Sequence, residues 1–166
     1  MERNHEQGPC HFPRGGHGVR RLEQFIILFD AKTQRRKGNK VVNENELSNE
    51  VIGAAIEVHR CIGPGLLESV YQECLAYELR NNGFAVEREV PLSVKYKGLE
   101  FPAAYRADLM VEGKLILELK SVDILLPVYS AQLLSYLKMC RLKLGLLINF
   151  NVPQLKDGVK RVVNQL

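Results

Sequence analysis

The run from Tyr105 to Ser121 constrains this chain more than any other stretch. Tyr105, Ala107, Leu109 and Val111 alternate with Arg106, Asp108 and Met110. After Glu112-Gly113-Lys114, the residues Leu115, Leu117 and Leu119 alternate with Ile116, Glu118 and Lys120. Period-two alternation places each set on one face of a β-sheet. The apolar faces coincide only if Val111 opposes Leu115, which requires a three-residue loop with Gly113 supplying unusual backbone angles. That register sets Asp108 directly opposite Glu118, with Lys120 two residues further along the same face.

Two carboxylates and an ammonium on a face that could have been apolar need a physical reason. Like charges opposed across a strand pair destabilise it, and buried charges are costly unless they are paired or hold a metal. A divalent cation between Asp108 and Glu118 removes both penalties, since Mg²⁺ is commonly held by one or two carboxylates together with water and substrate phosphate. Lys120 would then orient or deprotonate an attacking water. The competing reading puts Glu118 and Lys120 on an ordinary solvated face. The opposed Asp108 and the very apolar flanks favour the site.

The chain has 166 residues, enough for one domain with a core of its own and room for a tail. The cysteines Cys10, Cys61, Cys74 and Cys140 are scattered and form no C-x-x-C pair. With no apolar signal-like run at the N-terminus, they are expected to be reduced thiols of a cytoplasmic protein. No segment approaches the length of a membrane span. The net charge of +4 is unevenly distributed. Residues 1–42 hold nine Lys/Arg and four Asp/Glu, whereas residues 43–166 hold 14 Lys/Arg and 15 Asp/Glu, a balance of −1. The domain therefore lacks the broad basic field of a strong non-specific nucleic-acid binder. Residues 43–83 carry Arg60 and Arg80 against seven glutamates, and from Lys138 onward six Lys/Arg face Asp157 alone. If a polyanion binds, the C-terminal third is the expected contact surface.

Residues 1–42 read as a poorly ordered basic extension. They include Phe25 to Phe29, an apolar run, and the scattered His5, Cys10, His11 and His17, which lack zinc-site spacing. Folding should begin near Asn43. A first helix is expected from a cap at Asn45 or Ser48 to about His59, broken by Gly63-Pro64-Gly65. A second should run from about Leu66 to Asn81, with Leu67, Val70, Cys74, Leu75 and Leu79 facing the core. Strands are expected over Phe84–Val90 and Leu92–Tyr96, and then, after Lys97-Gly98, from Leu99 into the central pair. A third helix is expected over Ser130–Met139, a strand buried on both faces over Leu144–Phe150, and a terminal helix over Leu155–Gln165.

The spacing of Asp108, Glu118 and Lys120 resembles the signature of the PD-(D/E)XK nuclease superfamily. The segment Gly65-Leu66-Leu67-Glu68-Ser69-Val70-Tyr71 matches the G-x-x-E-x-x-Y motif that names a family within it. The resemblance runs from about Asn43 to Asn164 and takes in Val58-His59, Gly63-Pro64-Gly65, Gln132-Leu133-Leu134-Ser135-Tyr136 and Gly145 to Asn151. It implies an α/β (α+β) restriction-endonuclease-like core, a mixed sheet of about four strands flanked by helices. It also implies a Mg²⁺- or Mn²⁺-dependent nuclease site, with DNA favoured over RNA as substrate. On this resemblance Asp108 and Glu118 bind the metal with the Leu119 carbonyl as a further ligand, while Lys120, Glu68 and Gln132 complete the catalytic set. Tyr71 and Tyr136 contact substrate. His59 is read as a hydrogen-bonded structural histidine. The resemblance admits a homodimer, since many small members of the superfamily cut two strands as dimers. Residues 1–42 fall outside it, and Val41 or Val42 is a candidate start position that a full-length native product would exclude. The alternative is a catalytically inactive module that keeps the fold to bind nucleic acid or protein.

Overall fold

A computed structural model describes residues 43–165. The readings for residues 1–42, the apolar run and the histidines among them, lie outside the described residues.

Helix α1, Glu44–Ile62, is capped by Asn43 in a reciprocal box. The Asn43 side chain accepts from the Glu46 N–H at 2.9 Å, and the Glu46 carboxylate accepts from the Asn43 N–H at 3.4 Å. The expected caps Asn45 and Ser48 are inside the helix instead. Ser48 is buried and its hydroxyl donates to the Asn45 carbonyl at 2.9 Å. Gly63 ends α1 at a positive φ of 72°. Helix α2 is Glu68–Asn81. Its buried stripe is Tyr71, Leu75, Ala76 and Leu79, while Leu67 and Val70, expected in the core, are exposed. Leu67 is the N-cap and so stands outside the helical periodicity.

Strands β1, Val86–Tyr96, and β2, Leu99–Val111, form an antiparallel hairpin. It turns through Lys97 and Gly98, both at positive φ (44° and 89°), as a two-residue hairpin requires. The two short strands expected before it are one. Pro91 does not divide them because β1 is an edge strand, where a missing N–H goes unmissed. β3, Leu115–Lys120, continues the sheet antiparallel to β2. Helix α3, Pro127–Cys140, then carries the chain back so that β4, Leu144–Asn149, lies parallel to β3. The expected terminal helix shrinks to one turn, α4, Leu155–Gly158, followed by strand β5, Val159–Val163. β-branched Val159, Val162 and Val163 suit a strand, and β5 pairs antiparallel with β4. The result is a five-stranded mixed sheet in the order β1-β2-β3-β4-β5, a restriction-endonuclease-like α+β architecture.

The sheet is covered on both faces. Leu47, Val51, Leu75 and Leu79 of α1 and α2 pack on Leu115, Leu117, Leu146 and Ile148. Leu133, Tyr136 and Leu137 of α3 pack on Ile116 and Leu147 from the other side. β4 is buried throughout, as its continuous apolar run predicts. Among the described residues no helix is long and apolar enough to cross a membrane.

Candidate active site

The expected register is present but stops one pair short of the carboxylates. β2 and β3 pair through Val111↔Leu115, Met110↔Ile116 and Leu109↔Leu117, across a loop in which Glu112 and Gly113 both take positive φ (54° and 60°). Asp108 does not continue the ladder opposite Glu118. Its carboxylate accepts the Leu119 N–H at 2.7 Å, and its carbonyl accepts from the Gln72 side chain of α2 at 2.8 Å. β3 meanwhile stays paired with β4 as far as Lys120↔Asn149, and the Phe150 N–H donates to the Lys120 carbonyl at 2.8 Å. The sheet therefore forks at this point, and a side chain replaces the lost backbone acceptor.

Glu118 and Lys120 sit in the fork on the α3 side of β3. The Lys120 ammonium donates to Glu118 Oε1 at 2.7 Å and to the Leu119 carbonyl at 2.8 Å, and lies 3.6 Å from Glu68 Oε1. It also stands 5.6 Å above the centre of the Tyr129 ring. Glu118 is only 4% exposed, and its Oε2 is buried without a hydrogen-bond partner. Burial, then the charge of Asp108, pushes the Glu118 carboxyl up to about 7 even though Lys120 opposes the shift. Burial likewise raises Asp108 and Glu68 above the ordinary carboxylate range. Burial alone would lower Lys120, but its bond to Glu118 and the surrounding carboxylates outweigh it and raise its pKa. One cation faces three carboxyl groups, which leaves this cluster short of positive charge at neutral pH.

The Gly65 to Tyr71 motif has a physical explanation here. Gly65 takes a φ of 87°, which favours glycine. Glu68 opens α2, where the helix dipole favours an anion, and aims at Lys120. Tyr71 is fully buried and stacks on Phe150 with ring centres 4.3 Å apart. Its hydroxyl donates to the Gly63 carbonyl at 2.7 Å and accepts from the Leu66 N–H at 3.0 Å. The expectation that Tyr71 contacts substrate is corrected by that burial: the residue staples the loop that presents Glu68. Tyr136 is 2% exposed, its hydroxyl accepts from the Gln132 amide, and it lies close enough to the cluster for the charges of Glu118, Lys120 and Asp108 to act on it. Gln132 is half-buried on the outer side of that pair. His59 is structural as read, its Nε2 lying 2.9 Å from the Val152 carbonyl.

The basic C-terminal third is divided: Lys160 pairs with Leu147, the partner of Glu118, and so lies two strands from that carboxylate, whereas three other cations lie away from the fork. Lys138, Arg141 and Lys143 lie at the end of α3 and before β4, beside Leu144 and Leu115. That is the opposite end of β3 from Lys120, roughly 17 Å away at about 3.3 Å of rise per strand residue.

Sequence reasoning missed three supporting residues. Gln72 holds the Asp108 carbonyl, and nothing in the sequence shows that this carbonyl leaves the ladder. Ser121 donates to the Leu66 carbonyl at 2.7 Å, joining the loop after β3 to the loop before α2. Asn149 binds both backbone groups of Val122, at 3.1 and 2.8 Å. A polar residue closing the apolar run Leu144 to Ile148 was the signal for that last role.

The donor set suits a hard cation: two carboxylates and a carbonyl, with one buried carboxylate oxygen unpartnered. Among the described residues no three His, Cys, Asp or Glu side chains are arranged to hold a metal ion by themselves. Lys120 is bonded to Glu118 Oε1 and to the Leu119 carbonyl, and so occupies two of the groups expected to hold the ion.

A family model described as the PD-(D/E)XK nuclease superfamily matches residues 45–162. No curated protein matches the chain. Among solved structures it is similar to one titled "Crystal structure of SSO0001", at 14% identity and a TM-score of 0.40, over 90% of this chain and 79% of that one. A likeness that distant carries no argument.

Proposed function

Because the chain belongs to the PD-(D/E)XK nuclease superfamily, whose members typically use divalent metals, we propose that it is a Mg²⁺- or Mn²⁺-dependent nuclease of the G-x-x-E-x-x-Y group that hydrolyses phosphodiester bonds in DNA. The observation that carries this is the unpartnered Oε2 of Glu118, buried in the fork between Asp108 and Lys120. A buried carboxylate oxygen without a donor is costly, and a cation there removes the cost.

Asp108, Glu118 and the Leu119 carbonyl are the groups that would hold the ion. When bound it would supply Lewis acidity toward the phosphate and lower the pKa of a coordinated water. Glu118 serves as a ligand only when ionised, so its pKa of about 7 favours neutral to alkaline conditions. Lys120, released from Glu118 Oε1, orients the attacking water and neutralises charge growing on the phosphate. Glu68 keeps the ammonium within the fork. Gln132, at its α3 wall, offers an amide to a phosphate or a water. Residues 43–166 make up the nuclease unit in this reading. The free thiols of Cys74 and Cys140 fit a reducing cytoplasm.

A second reading has one observation behind it. Lys120 already sits on two of the proposed ligand oxygens, as in a protein that keeps the fold to bind without cutting. Calorimetric titration of Mg²⁺ and Mn²⁺ into the wild type and into Asp108→Asn/Glu118→Gln, each with and without DNA, separates the two. The nuclease reading expects heat that vanishes in the double variant, together with DNA cleavage by the wild type alone. Absence of metal binding even with DNA present would favour the inactive module.

A further inference from the structure

We infer that the substrate of this site is unpaired DNA, gripped by its bases on an apolar rim around the fork. The inference rests on the nuclease reading above and adds the substrate's form.

Large apolar side chains are exposed on three sides of the carboxylates. Leu67, 75% exposed, directly precedes Glu68. Ile124, 72% exposed, lies in the loop that follows Lys120, and Leu126 and Val128 continue it into α3. Tyr105 is half-exposed and packs its ring 5.6 Å from Tyr136 on the β2 side. The bond from Ser121 to the Leu66 carbonyl brings the first two groups together. These residues are not explained by folding. Leu67 and Leu126 are the N-caps of α2 and α3, and neither makes a side-chain cap bond. Ser, Thr, Asp or Asn at such a position would strengthen the helix, and a leucine left in water gains nothing from burial.

Charge decides what covers the rim. A duplex is held chiefly through its phosphates by Lys and Arg. Residues 43–166 have a balance of −1; Lys138, Arg141 and Lys143 lie at the far end of the sheet, and of the β5 cations Lys160 is the one in the row of Glu118, two strands away. In the β1–β2 hairpin Arg106 is engaged with Glu89 at 3.5 Å, Lys95 with Glu100 at 2.6 Å and Arg88 with Glu73, while Lys97, at the turn, lies over the Tyr96 ring. With so few cations beside the fork, the apolar rim supplies the larger share of the affinity through base surfaces, which are accessible only where the strand is unpaired. The rim therefore serves a strand entering the site.

The test uses the full chain carrying Glu118→Gln, which cannot cut in this scheme, in Mg²⁺. Fluorescence anisotropy compares a labelled 20-nucleotide oligo-dT with a 20-base-pair duplex across a salt series. Oligo-dT should bind at least about tenfold more tightly than duplex, with a log–log salt slope well below the six to ten phosphate contacts of typical duplex binders. Leu67→Ser/Ile124→Ser/Val128→Ser should weaken oligo-dT binding about tenfold or more, and Leu67→Ser adds a good N-cap, so the fold is kept. Equal or tighter duplex binding, or an unaffected triple variant, overturns the inference. So does a dimer in light scattering that the triple variant dissolves, since the rim would then join two copies. Wild-type cleavage of duplex irrespective of the rim overturns only the inference. Cleavage of neither DNA by the wild type overturns the nuclease reading beneath it.

Discussion

The carboxylate of Asp108 stands in for a β-strand: it accepts the Leu119 N–H at 2.7 Å where β2 would otherwise continue the ladder. One side chain thus both satisfies β3 and opens the sheet beside Glu118. The same carboxylate lies among buried acids whose proton affinity is raised, so structure and chemistry meet at this bond.

Asp108→Ala should leave the Leu119 N–H without its acceptor and cost about 1–3 kcal/mol of stability in urea denaturation, with cleavage lost. Asp108→Asn keeps an acceptor oxygen and should stay within about 1 kcal/mol of wild type, also without cleavage. Equal stability of the alanine variant would mean the bond has no structural weight.

Glu118 sets a pH dependence of known sign. In the folded protein it holds its proton up to about pH 7, against an ordinary value of 4.5. Between these values the folded state binds more protons than the unfolded one. The resulting stability is complete below pH 4.5 and is lost as pH rises through 7. Metal-free Glu118→Gln should therefore match wild type near pH 4 and exceed it by on the order of 3 kcal/mol at pH 8. Mg²⁺ should narrow that gap by stabilising only the wild type. Melting curves over this range check it, and a gap that does not grow with pH contradicts it. Wild-type cleavage and Mg²⁺ affinity should both climb from pH 6 to 8.

Gln72 touches no reacting group, yet it anchors the Asp108 carbonyl at 2.8 Å. Gln72→Leu should lower kcat about 10- to 100-fold through displacement of Asp108 while KM for DNA holds. Gln72→Glu, with its amide donor gone, should be no better. A change confined to KM would point to substrate contact instead.

Tyr71→Phe removes the hydroxyl that joins Gly63 to Leu66. We expect about 1–3 kcal/mol of destabilisation and little change in KM, because no part of Tyr71 is exposed. A KM increase at unchanged stability would restore the substrate-contact role.

Two glycines should respond differently to alanine. A Cβ on Gly158 would lie 2.2 Å from the Asn149 backbone carbonyl oxygen, which cannot move without disturbing the end of β4. Gly158→Ala should cost about 3 kcal/mol or more and weaken the hold of Asn149 on the loop after Lys120. On Gly145 the Cβ meets the tip of Leu133 at 2.9 Å, a flexible side chain, so Gly145→Ala should cost about 1–2 kcal/mol. Urea midpoints of the two variants rank them.

Much of this was legible before any coordinates, and the exceptions share a cause. The register of β2 on β3 followed from matching the apolar faces of Leu109 to Val111 and Leu115 to Leu117, because a one-residue slip would invert every side chain. The buried β4 and the starts and stops of α1 to α3 followed within a few residues from periodicity, Gly and Pro. The burial of Tyr71 and Tyr136 was not legible, since an aromatic on a site-bordering helix reads alike whether it points inward or outward. The single strand through Pro91 and the strand β5 depended on which strands became edges and which found partners.

Sequence alone determined the three long helices, the register of the central strands and the grouping of Asp108, Glu118 and Lys120, because each rests on local periodicity and short-range register. Only the tertiary structure decided that the sheet forks at Asp108, that Gln72 and Asn149 hold the two sides of the fork, and that Lys138, Arg141 and Lys143 lie at its far end while Lys160 does not. Those features depend on where α2 and α3 dock and on which backbone groups lose their strand partners, and contacts between distant segments leave no period in the chain to read.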